Sequence, residues 1–264
     1  MTASAPSTSS LDVPARAAGI SATRTVATAR RVLMQLRHDP RTIALMLLVP
    51  CALETLLRLI FDHDRRAFDQ AGGPLLALFP LATVFLVTSI ALLRERTTGT
   101  LERLLTTPLG RLELIAGYAL AFGLLASVQA IVAGALTLGP LGLHVDGPGL
   151  LVVVLAVCVA VLGMGLGLFA SAFARTEFQV VQFFPVIVIP QLLLCGLLIP
   201  RQRMPAALHA VSDLLPMSYA VDGMHHLTRQ TGVSGWFWAD FAIVLAFALS
   251  ALMAGAATLR RRTD

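Results

Sequence analysis

Six membrane-crossing helices, packed as one all-α membrane protein, are expected from this chain on three observations. Of its 264 residues, 56% are hydrophobic and only 13% are charged, where a water-soluble domain carries about a quarter charged residues. Six apolar runs recur along it, each close to the ~20 residues that a helix rising about 1.5 Å per residue needs to cross a hydrocarbon core about 30 Å thick. All twenty basic residues are arginines, and they gather at the edges of the apolar runs. That is the placement of topology signals rather than of a nucleic-acid-binding face, despite a net charge of +5.

The elements follow in order. Residues 1–22 are rich in Ala, Ser, Thr and Pro and have no apolar core, so they lack the central run of a cleaved signal peptide and read as a disordered cytoplasmic tail. Over 23–41, Val26, Ala29, Leu33 and Leu36 recur at helical spacing with Arg24 and Arg31 on the far side, which predicts an amphipathic helix lying along the membrane. Pro40 is expected to break it. Residues 43–61 form the first span and 62–70 a polar outer loop. The later spans are expected at about 73–93, 114–138, 150–173, 180–199 and 236–259. The fifth carries Pro185 and Pro190, each of which removes a backbone donor, so a kink or break is expected there. Cys51, Cys158 and Cys195 sit singly inside apolar runs, without metal-site or disulfide spacing, and read as small packing residues.

Arginine placement orients the bundle. Arg16, Arg24, Arg30, Arg31, Arg37 and Arg41 precede the first span, and the loop 139–149 has none, which puts the N-terminus in the cytoplasm. Arg94, Arg96, Arg103 and Arg111 between spans two and three, Arg175 between four and five, and Arg260, Arg261 and Arg262 after span six agree. An even number of spans then places both termini inside. Arg201, Arg203 and Arg229 run against this trend, in a long outer segment.

The segment between spans two and three, 95–113, is polar yet patterned. Thr100 can cap a short helix with Leu101, Leu104 and Leu105 on one side and Glu102 and Arg103 on another, and Pro108 stops it. Spelled E-x-x-x-G-T-L-E-x-L-L-x-T-P-x-x-R-x-E, it resembles the type-2 permease family of ATP-binding-cassette transporters, which export drugs, polysaccharides and lipids. The resemblance implies a coupling helix that docks on an ATPase, with Glu95, Gly99, Thr100, Leu101, Glu102, Leu105, Pro108 and Arg111 as contact or positioning residues. One departure is Tyr118, where many members have lysine after the glycine. A second similarity lies after span five, at Pro200, Met204, Pro205, Leu208, Val211, Leu214, Pro216, Tyr219, Ala220 and Asp222. The family folds such a segment as short helices in the outer leaflet, and Met204, Leu208, Val211 and Leu215 share one helical face. Residues 42–264 would then form the six-span permease domain.

Other features carry two readings each. Glu54 and Arg58, four apart in span one, either line an export path or form a charge pair near the outer end with Arg58 snorkelling to the headgroups. His225 and His226, near Asp222, read as a metal or pH-sensing site or as interfacial histidines; adjacent residues point to different faces of a helix. Gly163, Gly165 and Gly167 follow no strand, so close helix packing is expected rather than a nucleotide loop, with Gly163 and Gly167 as a small-xxx-small pair.

Together these features predict the membrane subunit of an ATP-driven exporter in a bacterial plasma membrane, moving hydrophobic drug-like compounds or lipids. A separate ATPase and a second permease copy in a homodimer are the expected protein partners. A P-loop needs a lysine, and the chain has none. ATP and Mg would therefore sit on the partner ATPase, with no cofactor on this chain, no metal residue, no catalytic residue and no enzymatic activity of its own. The spelling of residues 117–123 is closer to the antibiotic-resistance branch. The alternatives are a polysaccharide or glycolipid exporter and, from another class, an ion-coupled carrier or channel, for which Glu54, Asp240 and the span-five prolines offer thin support. A membrane-embedded hydrolase ranks last, for want of a nucleophile facing a base.

Overall fold

The computed structural model describes residues 21–98 and 111–260. Nine α-helices occupy these residues: α1 (Ala22–Arg37), α2 (Pro40–Ile60), α3 (Arg65–Thr97), α4 (Arg111–Leu138), α5 (Gly149–Ser171), α6 (Glu177–Leu194), α7 (Ala206–Ser212), α8 (Pro216–Arg229) and α9 (Gly235–Arg260). Six of them, α2 to α6 and α9, are long and apolar enough to cross a membrane, as the composition requires.

Local chemistry sets their starts. Asp39 accepts hydrogen bonds from the Thr42 backbone (3.2 Å) and hydroxyl (2.6 Å), and Pro40 occupies the first turn of α2, where its missing N–H costs nothing. Pro40 therefore starts the first span as well as separating it from α1. Asp64 caps α3 through the Ala67 N–H (3.0 Å), so most of the expected 62–70 loop is helix. Thr176 caps α6 through Gln179 (3.3 Å), and α6 continues as a helix through both Pro185 and Pro190.

The core lies along α3 and α5, which pack on each other and on most of the other spans. Their approach depends on two glycines: a Cβ on Gly163 would lie 2.4 Å from the Leu81 carbonyl oxygen, and one on Gly167 would lie 2.6 Å from that of Phe85. The expected small-xxx-small contact is made. On the opposite side of α5, α9 runs alongside. Successive spans alternate direction, so the start of α2, end of α3, start of α4, end of α5 and start of α6 share one end of the bundle with α1. That end is fastened by Arg96 donating to the Ser171 carbonyl (2.8 Å) and by Arg94 forking onto Glu177 (2.6 and 3.1 Å). The other end holds the α2–α3 turn, the 139–148 loop, α7 and α8.

Candidate functional site: a brace beneath the α3–α4 connection

Helix α1 lies on α4 with Thr28, Ala29 and Val32 buried. The contact is set by Gly117, whose absent side chain lets Thr28 sit where a Cβ would be 2.5 Å away. The expected face is kept in part: Ala29 is buried and Leu33 and Leu36 pack against the core, but Val26 is 56% exposed, and Arg31 turns into the protein instead of away from it. The reason is that α1 is fixed by a glycine groove and by charge, not by its leucines alone.

Arg31 Nη2 donates to Glu95 Oε2 (3.2 Å) and to the Tyr118 hydroxyl (2.8 Å), and the Tyr118 hydroxyl donates to the same Glu95 oxygen. Further back on α1, the Ser21 N–H donates to Glu113 Oε1 (2.8 Å), and Arg24 forms an ion pair with that carboxylate (3.6 Å). Glu113 is buried. Glu95 stands just before residues 99–110 and Glu113 just after them, so one helix holds both feet of that segment. Gly99, Thr100, Leu101, Glu102, Leu105 and Pro108, the body of the expected coupling helix, lie outside the described residues. Arg111 begins α4.

At the opposite end, part of the second sequence motif converges. Arg201 bonds both Asp213 and Asp222 and lies over the Tyr219 ring (5.3 Å), while the Tyr219 hydroxyl donates to the Asp213 carbonyl (2.8 Å). Met204 and Pro205 lead into α7, and Pro216 starts α8. Leu208 and Val211 of the predicted apolar face are exposed, as a face turned to lipid would be. Arg201 is thus a structural clamp, which explains one of the three arginines on the unexpected side.

The Glu54–Arg58 pair is not made. Arg58 reaches past its own turn to Asp62 (3.4 Å), to the Phe61 carbonyl (3.4 Å) and over the Phe68 ring (5.6 Å), the more polar end of the helix. Glu54 is fully buried on the Met46–Pro50–Glu54 face of α2 and neither oxygen has a hydrogen-bond partner among the described residues. His225 and His226 also diverge, the first to the Gln70 carbonyl (3.3 Å), the second to Asp240 (3.7 Å). Burial holds the His225 imidazole below its ordinary pKa. No group of three or more His, Cys, Asp or Glu suited to a metal occurs among the described residues.

The profile of the ABC-2 type transporter family matches residues 23–228, from α1 through α8. The chain belongs to that family. Among its relatives are ABC transporter G family member 20 of Dictyostelium discoideum (25% identical, covering 74% of this chain and 27% of the relative) and the linearmycin resistance permease protein LnrN of Bacillus subtilis (28%, covering 64% and 44%). A third is the probable multidrug ABC transporter permease YbhR of Escherichia coli (28%, covering 56% and 40%). The chain spans less than half the length of each.

Within this ABC-2 fold, the Tyr118 departure has a structural answer. The Tyr118 hydroxyl accepts from the Arg31 guanidinium and donates to Glu95, so it sits between the α1 cation and the α3 carboxylate. Sequence reasoning missed Arg31, Tyr118 and Arg201 as site residues. The available signal was charge: Arg31 had no carboxylate near it in sequence, and Arg201 violated the arginine trend.

Proposed function

We propose that this chain is the permease subunit of an ATP-driven ABC exporter, carrying hydrophobic drug-like compounds or lipids out of a bacterial cell while a separate ATPase binds ATP and Mg and docks at segment 95–113. Both termini lie in the cytoplasm, and the chain has no catalysis of its own. The observation that carries this reading is the brace: an ABC-2 type chain in which α1 grips Glu95 and Glu113 has a rigid mount for the segment between them. A push on that mount reaches α3 and α4 directly, and through the Arg94–Glu177 fork reaches α6. The linearmycin-resistance and multidrug names of two relatives support the substrate class.

A second copy completes the path. On α6, Phe178, Gln182, Pro185, Ile189 and Leu193 form an exposed stripe at helical spacing, and an amide facing hydrocarbon at Gln182 is better satisfied against another helix. The test is transport. Proteoliposomes holding the permease and its ATPase, loaded with a lipophilic dye, should translocate it with ATP and stop with Glu102→Arg. Equal flux with and without ATP would support the ion-coupled carrier instead.

A further inference from the structure

A cavity of about 450 Å³ opens at the α1 end of the bundle, between α1, α2, α3 and α4. The volume falls in the range of drug-sized ligand sites. One wall is apolar, built from Leu36, Leu45, Leu86, Ile90 and Phe122; the other end is polar, with Asp39, Thr42, Arg94, Glu95 and Tyr118. The lining thus has the form of an amphiphile, a broad apolar body with one compact polar pole.

The charges at that pole decide which amphiphile. Arg94 is held by Glu177 through two hydrogen bonds, and Arg31 is held by Glu95 and Tyr118. Asp39 is left as the lining carboxylate with no cation within ion-pair distance among the described residues. The Thr42 hydroxyl and backbone N–H hold its carboxyl below the usual carboxylate range, with Arg94 adding a weaker pull. Arg37 and Arg41, on the flanking turns, are exposed and do not line the cavity. Of the charged residues that line the cavity, Asp39 and Glu95 are acidic and Arg94 is basic, and with Arg94 bonded to Glu177 and Glu95 to Arg31, Asp39 is the acid there without an ion-pair partner of its own among the described residues.

We infer that this cavity is a binding site for monocationic amphiphiles at the membrane face near α1, with Asp39 as counter-ion and the α2–α3–α4 wall as the seat of the apolar body. Two of its polar lining residues, Glu95 and Tyr118, belong to the brace under the α3–α4 connection, so an occupied cavity touches the mount that the ATPase is proposed to move. The role as a loading site rests on the export reading; binding itself does not.

The probes are tetraphenylphosphonium and tetraphenylborate, of nearly the same shape and opposite charge. Equilibrium binding to the purified permease in zwitterionic nanodiscs, less binding to empty nanodiscs, should show saturable uptake of the phosphonium and none of the borate. Asp39→Asn keeps a good helix cap and should weaken the phosphonium by about tenfold or more. Ala91→Phe, which fills the cavity, should abolish the saturable component; the gel-filtration profile of Asp39→Asn should match wild type. Absence of saturable phosphonium binding, equal binding of the borate, or phosphonium binding unchanged in Asp39→Asn would each overturn the assignment. No ATPase is present, so loss of the export reading and loss of this site are separate results.

Discussion

Arg31 serves two acceptors with one guanidinium, and its side chain is only 30% exposed while that of Glu95 is 16% exposed. Water screens such a pair weakly, and removing one partner leaves the other half-buried without its counter-charge. Arg31→Ala should destabilise the α1–α3 contact by about 1–3 kcal/mol and lower ATP turnover of the assembled transporter. Arg31→Lys should recover only part, because a single ammonium replaces a planar fork. Turnover and melting temperature unchanged in Arg31→Ala would reduce the triad to a surface ion pair. Glu54 is a different case. Its buried carboxyl has no partner among the described residues, and burial of an unpaired polar group opposes folding.

At the element scale, α3 and α5 act as one unit because Gly163 and Gly167 allow their backbones to meet. Gly167→Leu must displace the Phe85 carbonyl or separate the helices, and should cost about 1–3 kcal/mol or more, read as a drop in melting temperature in detergent. A neutral result would mean that α3 and α5 can slide past one another freely. The span helices were legible in the sequence because a run of about twenty apolar residues has few other fates, and the glycine pair because its spacing matches the helix period. The inward turn of Thr28 and Arg31 was not legible: it depends on Gly117, far along the chain from Thr28, and on which carboxylate Arg31 finds. The early start of α3 was hidden by the charge of Arg65 and Arg66, which suits a helix end projecting beyond lipid as well as a loop. The Arg58 partner was misread because the i,i+4 rule offers both Glu54 and Asp62, and the choice belongs to the solvent gradient along α2.

At the scale of the whole molecule, the described residues form a bundle with two fastened ends. Arg201 closes one end over α7 and α8, and the α1 brace closes the other. Between them α6 is held chiefly by α3 and by α7 and α8, and its Phe178–Leu193 stripe stays exposed, where the proposed second copy would pack. Gln182→Cys should form a disulfide-linked dimer on mild oxidation in membranes, while a cysteine on the exposed face of α2, at Leu48, should not; crosslinking at Leu48 alone would move the interface. The most direct measurement of the proposed role is co-purification of the permease with its ABC ATPase in nanodiscs, comparing wild type with Glu102→Arg and Leu105→Asp. Wild type should hold the ATPase and support turnover, and both variants should lose complex formation while keeping the wild-type gel-filtration profile. An ATPase that binds all three equally would place docking elsewhere than 95–113, and the absence of any ATPase complex with wild type would contradict the export role itself.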